Sequence, residues 1–503
     1  MRVVGSLSLW ERVSSEGFMA KVADVNITVE VPTEESAEHL SPRMMVGSVL
    51  GPLAGLALWF APLQLEPVAH QTLAIVAFMI VYWITEPIDH GITAMIGCFL
   101  FWALHIADFE TAFAGFANSS PWFLFGAMLM GEAASQSGLA RRIGFLIMRY
   151  LGTSYSRLLL SVVVIVFVLN FLVPSGLAQL AIVAPMIIGV IAGFGVGPQS
   201  NIARGLFVIL AYTCGLFNKM ILAGGASILT RGIVEKLTGE PIFWSKYFIA
   251  YLPADLITIF ACWLTILWLY PPEKKELPGG RQYLEDQVRS MGPWTVPEKK
   301  TLAWLLLAVG LWATDLWHKT DPAVIALGVG LMVALPKIGL LKTRDIQRVN
   351  FLLIIFMAGA LSMGEVLAKT KALDALTDVM MSWMTPYLGG SFHSASVLYW
   401  TAFAYHFVLA SELSMLSTSL PILVNFAVQH GFNPVALAMV WNFASGGKMF
   451  VYQSAVLILG YSYGYFQGKD LIRVGLVLTI VEGLILLFLV PFYWPLIGLQ
   501  WLK

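Results

Sequence analysis

Residues 171–185 read FLVPSGLAQLAIVAP, and residues 407–421 read FVLASELSMLSTSLP. In each stretch an apolar run halts at a serine, restarts, and meets a proline ten residues further on. A serine at the head of a helix can cap it through its hydroxyl, and the exposed N–H groups of the first turn attract negative charge. Backbone breaks at lipid depth are tolerated only where protein encloses them or where they line a cavity. Ser175 and Ser411 therefore predict two matching helix N-termini that face one anion near the middle of a membrane.

The duplication extends outward from these serines. Residues 126–139 read GAMLMGEAASQSGL, and residues 359–373 read GALSMGEVLAKTKAL. The shared Met-Gly-Glu moves from 130–132 to 363–365, and the serine from 175 to 411. Two ordered matches at nearly one offset identify an internal repeat.

Composition sets the class. Of the 503 residues 58% are hydrophobic and only 12% charged, about half the charged share of a soluble domain. Apolar windows long enough to cross a bilayer recur about ten to fourteen times, among them Met45 to Phe60, Leu158 to Val173, Phe248 to Leu269, Thr301 to Trp317 and Val474 to Tyr493. Formal net charge is zero, which points away from nucleic acid. Cys98, Cys214 and Cys262 all sit in apolar runs, so neither a disulfide framework nor a zinc cluster is expected. HExxH, GxSxG and paired-Asp signatures are absent, and the chain is not expected to be an enzyme or to carry a cofactor.

Four regions follow: a polar tail (1–42), a first hydrophobic block (43–270), a polar linker (271–298) and a second block (299–503). The first apolar segment begins only after Pro42-Arg43 and is expected to stay as a membrane helix. The linker and its end carry Lys274, Lys275, Arg281, Arg289, Lys299 and Lys300, which places them in the cytoplasm by the positive-inside rule. Arg141, Arg142 and Arg149 should lie on that side, as should the tail, with the C-terminus outside.

A second pair of breaks follows the serines. CGLFNKMILAGGASILT (214–230) holds Asn218, Lys219 and Gly224-Gly225, and WNFASGGKMFVYQSAVLILG (441–460) holds Asn442, Gly446-Gly447, Lys448, Tyr452 and Gln453. Glycines permit unwound backbone, and a lysine inside an apolar run is costly and rarely idle. Snorkelling to the interface or pairing with a carboxylate is the plainer alternative for each lysine. Glu412 beside Ser411 would repel an anion unless a cation neutralises it, and Lys448 or Lys219 is the expected partner. Glu86 to His90 reads as a helix-breaking turn, His406 as a packing residue, and Glu132 and Glu365 as repeat-related carboxylates near water.

With these motifs in order, the chain resembles the divalent anion:sodium symporter family over about residues 43–500. YWITEPIDHGITAMI (82–96) resembles that family's early Trp-x-Thr-Glu helix. Residues 115–143 and 337–373 resemble its two re-entrant hairpins with their amphipathic segments, and 460–475 the stretch after its last broken helix. The resemblance implies an all-α integral membrane protein of about 11 transmembrane helices. Its two inverted halves would each carry a re-entrant hairpin and a broken helix, divided between a dimerising scaffold and a transport domain that moves like an elevator. It implies transport of di- and tricarboxylates or sulfate through a cell membrane, the inner membrane in a bacterium.

At the hairpin tips the family carries Ser-Asn-Thr. This chain keeps the serines, as Ser175-Gly176-Leu177 and Ser411-Glu412-Leu413, and has Gly225-Ala226-Ser227 and Tyr452-Gln453-Ser454 at the broken helices. The substrate site implied is Ser175, Gly176, Leu177, Ser411, Glu412, Leu413, Tyr452 and Gln453, with Asn218, Lys219, Glu412 and Lys448 in charge or ion coupling. Missing Asn and Thr oxygens remove sodium ligands, so a sodium-independent anion exchanger or a proton-coupled carrier is the leading expectation. Sodium-coupled symport, or a cation/proton antiporter working through Glu412, are the alternatives. The expected partners are a small organic anion, the lipid bilayer and a second copy in a homodimer.

Overall fold

The computed structural model describes residues 42–502 except 174, 217–218, 220–223, 410, 446–447 and the side chain of 408. The tail up to residue 41, Asn218 and the Gly446-Gly447 pair thus lie outside the described residues.

Counting helices of eight residues or more, the first half runs α1 Pro42–Phe60, α2 Pro67–Thr85, α3 His90–Ala103, α4 Ser119–Gln136, α5 Leu139–Leu151, α6 Tyr155–Leu172, α7 Gly176–Phe194, α8 Asn201–Leu216, α9 Gly225–Thr238 and α10 Trp244–Leu269. The linker contains α11 Gly280–Ser290. The second half runs α12 Val296–Ala313, α13 Pro322–Met332, α14 Phe351–Lys369, α15 Ala372–Met381, α16 Ser391–Val408, α17 Glu412–Gln429, α18 Pro434–Ala444, α19 Ala455–Ser462 and α20 Gly468–Phe488. Among the described residues seven helices are long and apolar enough to cross a membrane, and four shorter apolar helices accompany them.

Each helix from α2 to α10 has its counterpart ten helices on. The α6 start moves from Tyr155 to Ser391, and the α10 start from Trp244 to Gly468. The halves interlock: α4 packs on α13, while α3 packs on α14. Glycine makes both crossings close. A Cβ on Gly126 of α4 would stand 2.4 Å from the Ala326 carbonyl oxygen, and one on Gly359 of α14 would stand 2.5 Å from the Ala94 Cβ. Small residues at such crossings let helix backbones approach where lipid supplies no hydrophobic drive between helices.

The serine tips are the turns of two helical hairpins, α6–α7 and α16–α17. Residues 115–143 and 337–373, which resemble hairpins in sequence, instead contain single buried helices, α4 and α14, followed by the amphipathic α5 and α15. The cause is chemical: α4 is capped by Asn118, whose side chain accepts from the Ser120 amide, and nothing breaks it before Ser137. The 86–90 turn is as expected, with Glu86 left-handed at φ 55° and Asp89 capping α3.

Arg142 of α5 anchors the linker. Its Nε donates to Glu298 Oε1 at 2.6 Å, and its terminal nitrogens donate to the carbonyls of Gly292 and Met291 at 2.9 Å. Glu298 also closes a capping box with Thr295 at the start of α12. Burial would raise the Glu298 carboxyl, but the hydrogen bonds from Arg142 and Thr295 outweigh it and hold it below its ordinary range. This arginine bridges the two hydrophobic blocks.

Candidate functional site

Ser411 is the N-cap of α17, in extended conformation, and its carbonyl accepts the Met415 amide at 2.9 Å. Its hydroxyl makes no capping bond to its own helix, whereas the Ser175 hydroxyl accepts from the Ala178 amide at 3.4 Å. The next residue, Glu412, carries the centre of the site. Its Oε2 lies 3.0 Å from Lys448 Nζ, with the lysine side chain 4% exposed and the glutamate 18%. Ser445, just past the end of α18, completes the arrangement. Its hydroxyl lies 2.9 Å from Glu412 Oε1 and 2.6 Å from the Asn442 carbonyl, so one proton serves two acceptors. Neither lysine snorkels; both are buried.

Lys219 approaches from the first broken helix. Its ammonium donates to the Phe443 carbonyl at 2.9 Å and sits 5.6 Å above the Phe443 ring. Its own carbonyl accepts from Ser227 at 3.1 Å, which ties the break to α9. A Cβ on Gly225 would stand 3.8 Å from Leu413, and one on Gly215 would stand 3.8 Å from Lys448 Nζ. Both breaks and the second tip therefore converge on one place.

Gln453 is structural as well as central. Its Oε1 accepts the amides of Met449 at 2.7 Å and Phe450 at 2.8 Å, which staples the unwound chain after Lys448. Its buried Nε2 has no hydrogen-bond partner among the described residues. Tyr452 is exposed and stacks on Phe450, and Ser454 caps α19 through the Val456 amide.

The first tip is built differently. Gln179 Nε2 donates to the Val173 carbonyl at 2.6 Å and to Asn170 Oδ1 at 3.3 Å, while Gly176 is buried and Leu177 exposed. The helix it opens packs on the second broken helix, with Leu180 3.4 Å from a Cβ on Gly460. α17 packs on α9 in the same crossed manner. Glu412, Leu413, Lys219 and Lys448 are thus brought together. The Ser175-Gly176-Leu177 tip, by contrast, is bonded within its own hairpin, and the helix it opens leans on α19.

Sequence reasoning missed three residues. Ser445 carries no signal before its glycines, although it bridges two elements. Asp255 on α10 and Glu482 on α20 are 2% and 1% exposed, and both lie inside windows that read as plain spans. An ionisable side chain in such a span is itself the signal. Lys219 has Glu482, Glu412, Lys448 and Asp255 as its charged neighbours. Among the described residues, no three of His, Cys, Asp and Glu converge as a metal-binding group.

Against known proteins, the family model for the sodium:sulfate symporter transmembrane region matches residues 47–500. The citrate/succinate antiporter of Escherichia coli K12 is 26% identical over 491 residues, spanning 90% of this chain and 98% of that protein. Dicarboxylate transporter 2 of spinach chloroplasts is 25% identical over 494 residues, spanning 93% and 84%. A membrane protein of Cupriavidus necator is 28% identical, spanning 87% and 89%. Among solved structures, MtrF of Neisseria gonorrhoeae, from a class of antimetabolite efflux pumps, matches with a TM-score of 0.53 at 11% identity. The match covers 90% of this chain and 94% of that one, a likeness of fold.

Proposed function

We propose that this chain, a multi-pass membrane anion transporter that belongs to the sodium:sulfate symporter family, carries di- and tricarboxylates by sodium-independent exchange. The observation that carries this reading is the pair of buried lysines at the point where both broken helices meet the second hairpin tip. A lysine is a fixed cation: it neutralises a carboxylate ligand but cannot leave with it, so it cannot itself couple transport to an ion gradient. Glu412 engages Lys448, which leaves the Lys219 ammonium and the α17 N-terminus to meet the carboxylates of the substrate. The names of the relatives, a citrate/succinate antiporter and a dicarboxylate transporter, agree with that chemistry. The two crossed hairpin and broken-helix pairs form the moving body of an elevator, and the chain works as a homodimer.

The test is counterflow of radiolabelled succinate in proteoliposomes loaded with unlabelled succinate, with choline replacing sodium and equal pH on both sides. Robust labelled uptake is expected. Uptake seen only with an inward sodium gradient would restore symport and give the lysines another role. Ser175→Leu and Ser411→Leu should each abolish this uptake while the protein remains folded; normal uptake by both variants would move the site elsewhere.

A further inference from the structure

The Glu412–Lys448 pair is closed at 3.0 Å, with Ser445 on its second oxygen. Three buried ionisable groups remain nearby: Lys219, whose ammonium lies 5.6 Å from the Phe443 ring; Asp255, one helical turn on from Tyr251, whose ring stacks on Phe443 at 5.8 Å; and Glu482 on the helix packed against that of Asp255. Lys219 donates to a backbone carbonyl, that of Phe443. Asp255 is 2% exposed, and its Oδ2 has no hydrogen-bond partner among the described residues. Glu482 is 1% exposed and accepts from the Tyr399 hydroxyl at 3.3 Å. The helices that carry the two carboxylates, α10 and α20, are repeat-related and packed on one another.

The charge count of this trio is uneven. One lysine can balance one carboxylate, and a second ionised carboxylate buried without a partner is too costly to persist. The empty trio therefore holds one ammonium, one carboxylate and one carboxylic acid. An anion arriving at Lys219 competes for the same positive charge, and the remaining carboxylate is relieved by binding a proton. That step forms one O–H bond, with the proton drawn from water on the side of entry. Departure of the anion on the other side reverses it and releases the proton there. Substrate carboxylate and proton thus occupy the carrier together.

We infer that Asp255, Glu482 and Lys219 form a proton-exchanging set that takes up one proton with each bound anion, so that net anion movement is proton-driven while one-for-one exchange is not. The inference rests on the anion-carrier reading above. The charged and titratable groups that face the set are Glu412 and Lys448 across the site, Tyr247 and Tyr251 on α10, Tyr212 on α8 and Tyr399 on α16. His406 on α16 faces the lysines and Glu412.

The test uses the full chain in proteoliposomes that contain a trapped pH dye and no internal carboxylate substrate, with valinomycin and equal potassium holding the potential at zero. Radiolabelled succinate is added in choline buffer one pH unit more acidic than the interior. One coupled proton per anion predicts accumulation of up to about tenfold, since a pH unit is a factor of ten in proton activity. The interior should acidify faster with succinate than without it. Asp255→Asn and Glu482→Gln, near-isosteric changes, should lose this acid-driven accumulation far more than they lose succinate counterflow. Robust wild-type counterflow without acid-driven accumulation or proton entry would overturn the inference and leave the carrier reading standing. Equal loss of both activities in both variants, with both still folded, would also overturn it by assigning these residues to binding. Absence of succinate counterflow in the wild type removes the carrier reading and this inference with it.

Discussion

Lys448 can be tested as a charge and as a structural tie. Removing one partner of a buried ion pair costs about 3–5 kcal/mol because the other charge is stranded. Glu412 keeps some exposure, so Lys448→Ala should fall at the low end of that range, read as a loss of thermal stability in detergent. Glu412→Gln added to Lys448→Ala should recover most of the stability and none of the transport; full transport in the double variant would make the pair dispensable. Arg142 and Glu298 offer a second test, in pH. The Glu298 carboxyl is held below its ordinary range, so its stabilisation is complete above the unfolded value of about 4.3 and fades as pH falls through the lower folded value. The stability gap between wild type and Glu298→Gln should be widest at neutral pH and shrink below about pH 4. A gap that does not change with pH would assign the stabilisation to packing. Glu412, Lys219 and Lys448 were legible in the sequence because a charge next to glycines or at a break stands out from its surroundings. Asp255 and Glu482 were not, because a window average hides one carboxylate among twenty apolar neighbours.

The elements were read more fully than their pairing. Apolar spans, serine tips and broken helices follow from local sequence and its repetition at one offset. Which helix is a hairpin arm does not: the Met-Gly-Glu stretches read as hairpins and are single buried helices. Nor does sequence reveal that α4 packs on a helix of the other half, since that depends on which small residues meet. The crossing gives a testable asymmetry. At Gly359 an added methyl meets first the Ala94 side chain, while at Gly126 it meets the Ala326 backbone. Gly359→Ala should destabilise by about 1–3 kcal/mol, the usual cost of overpacking, and Ala94→Gly should restore much of it. Gly126→Ala should be at least as costly and gain nothing from a side-chain change at Ala326. Thermal melts of the purified variants decide between these outcomes, and an equal, unrescued loss at both glycines would contradict the contact geometry.

Across the whole molecule, orientation follows from the linker. We expect the Lys- and Arg-rich linker in the cytoplasm and, with inverted repeats, the N-terminus inside and the C-terminus outside. Ser290, exposed at the end of α11, is the reporter position, and Cys98, Cys214 and Cys262 are buried, which keeps background labelling low. Ser290→Cys should resist an impermeant thiol reagent in sealed cells and react after permeabilisation; ready labelling from outside would invert the molecule. The crossed packing of α4 on α13 has a further consequence, for synthesis. Gln136 ends α4, and its partner begins only at Pro322. At about 5–20 residues per second the ribosome needs about 10–40 s to make the intervening chain. Through that interval α4 lacks the helix that fills its Gly126 crossing, so the first half is completed with this buried face still unpaired.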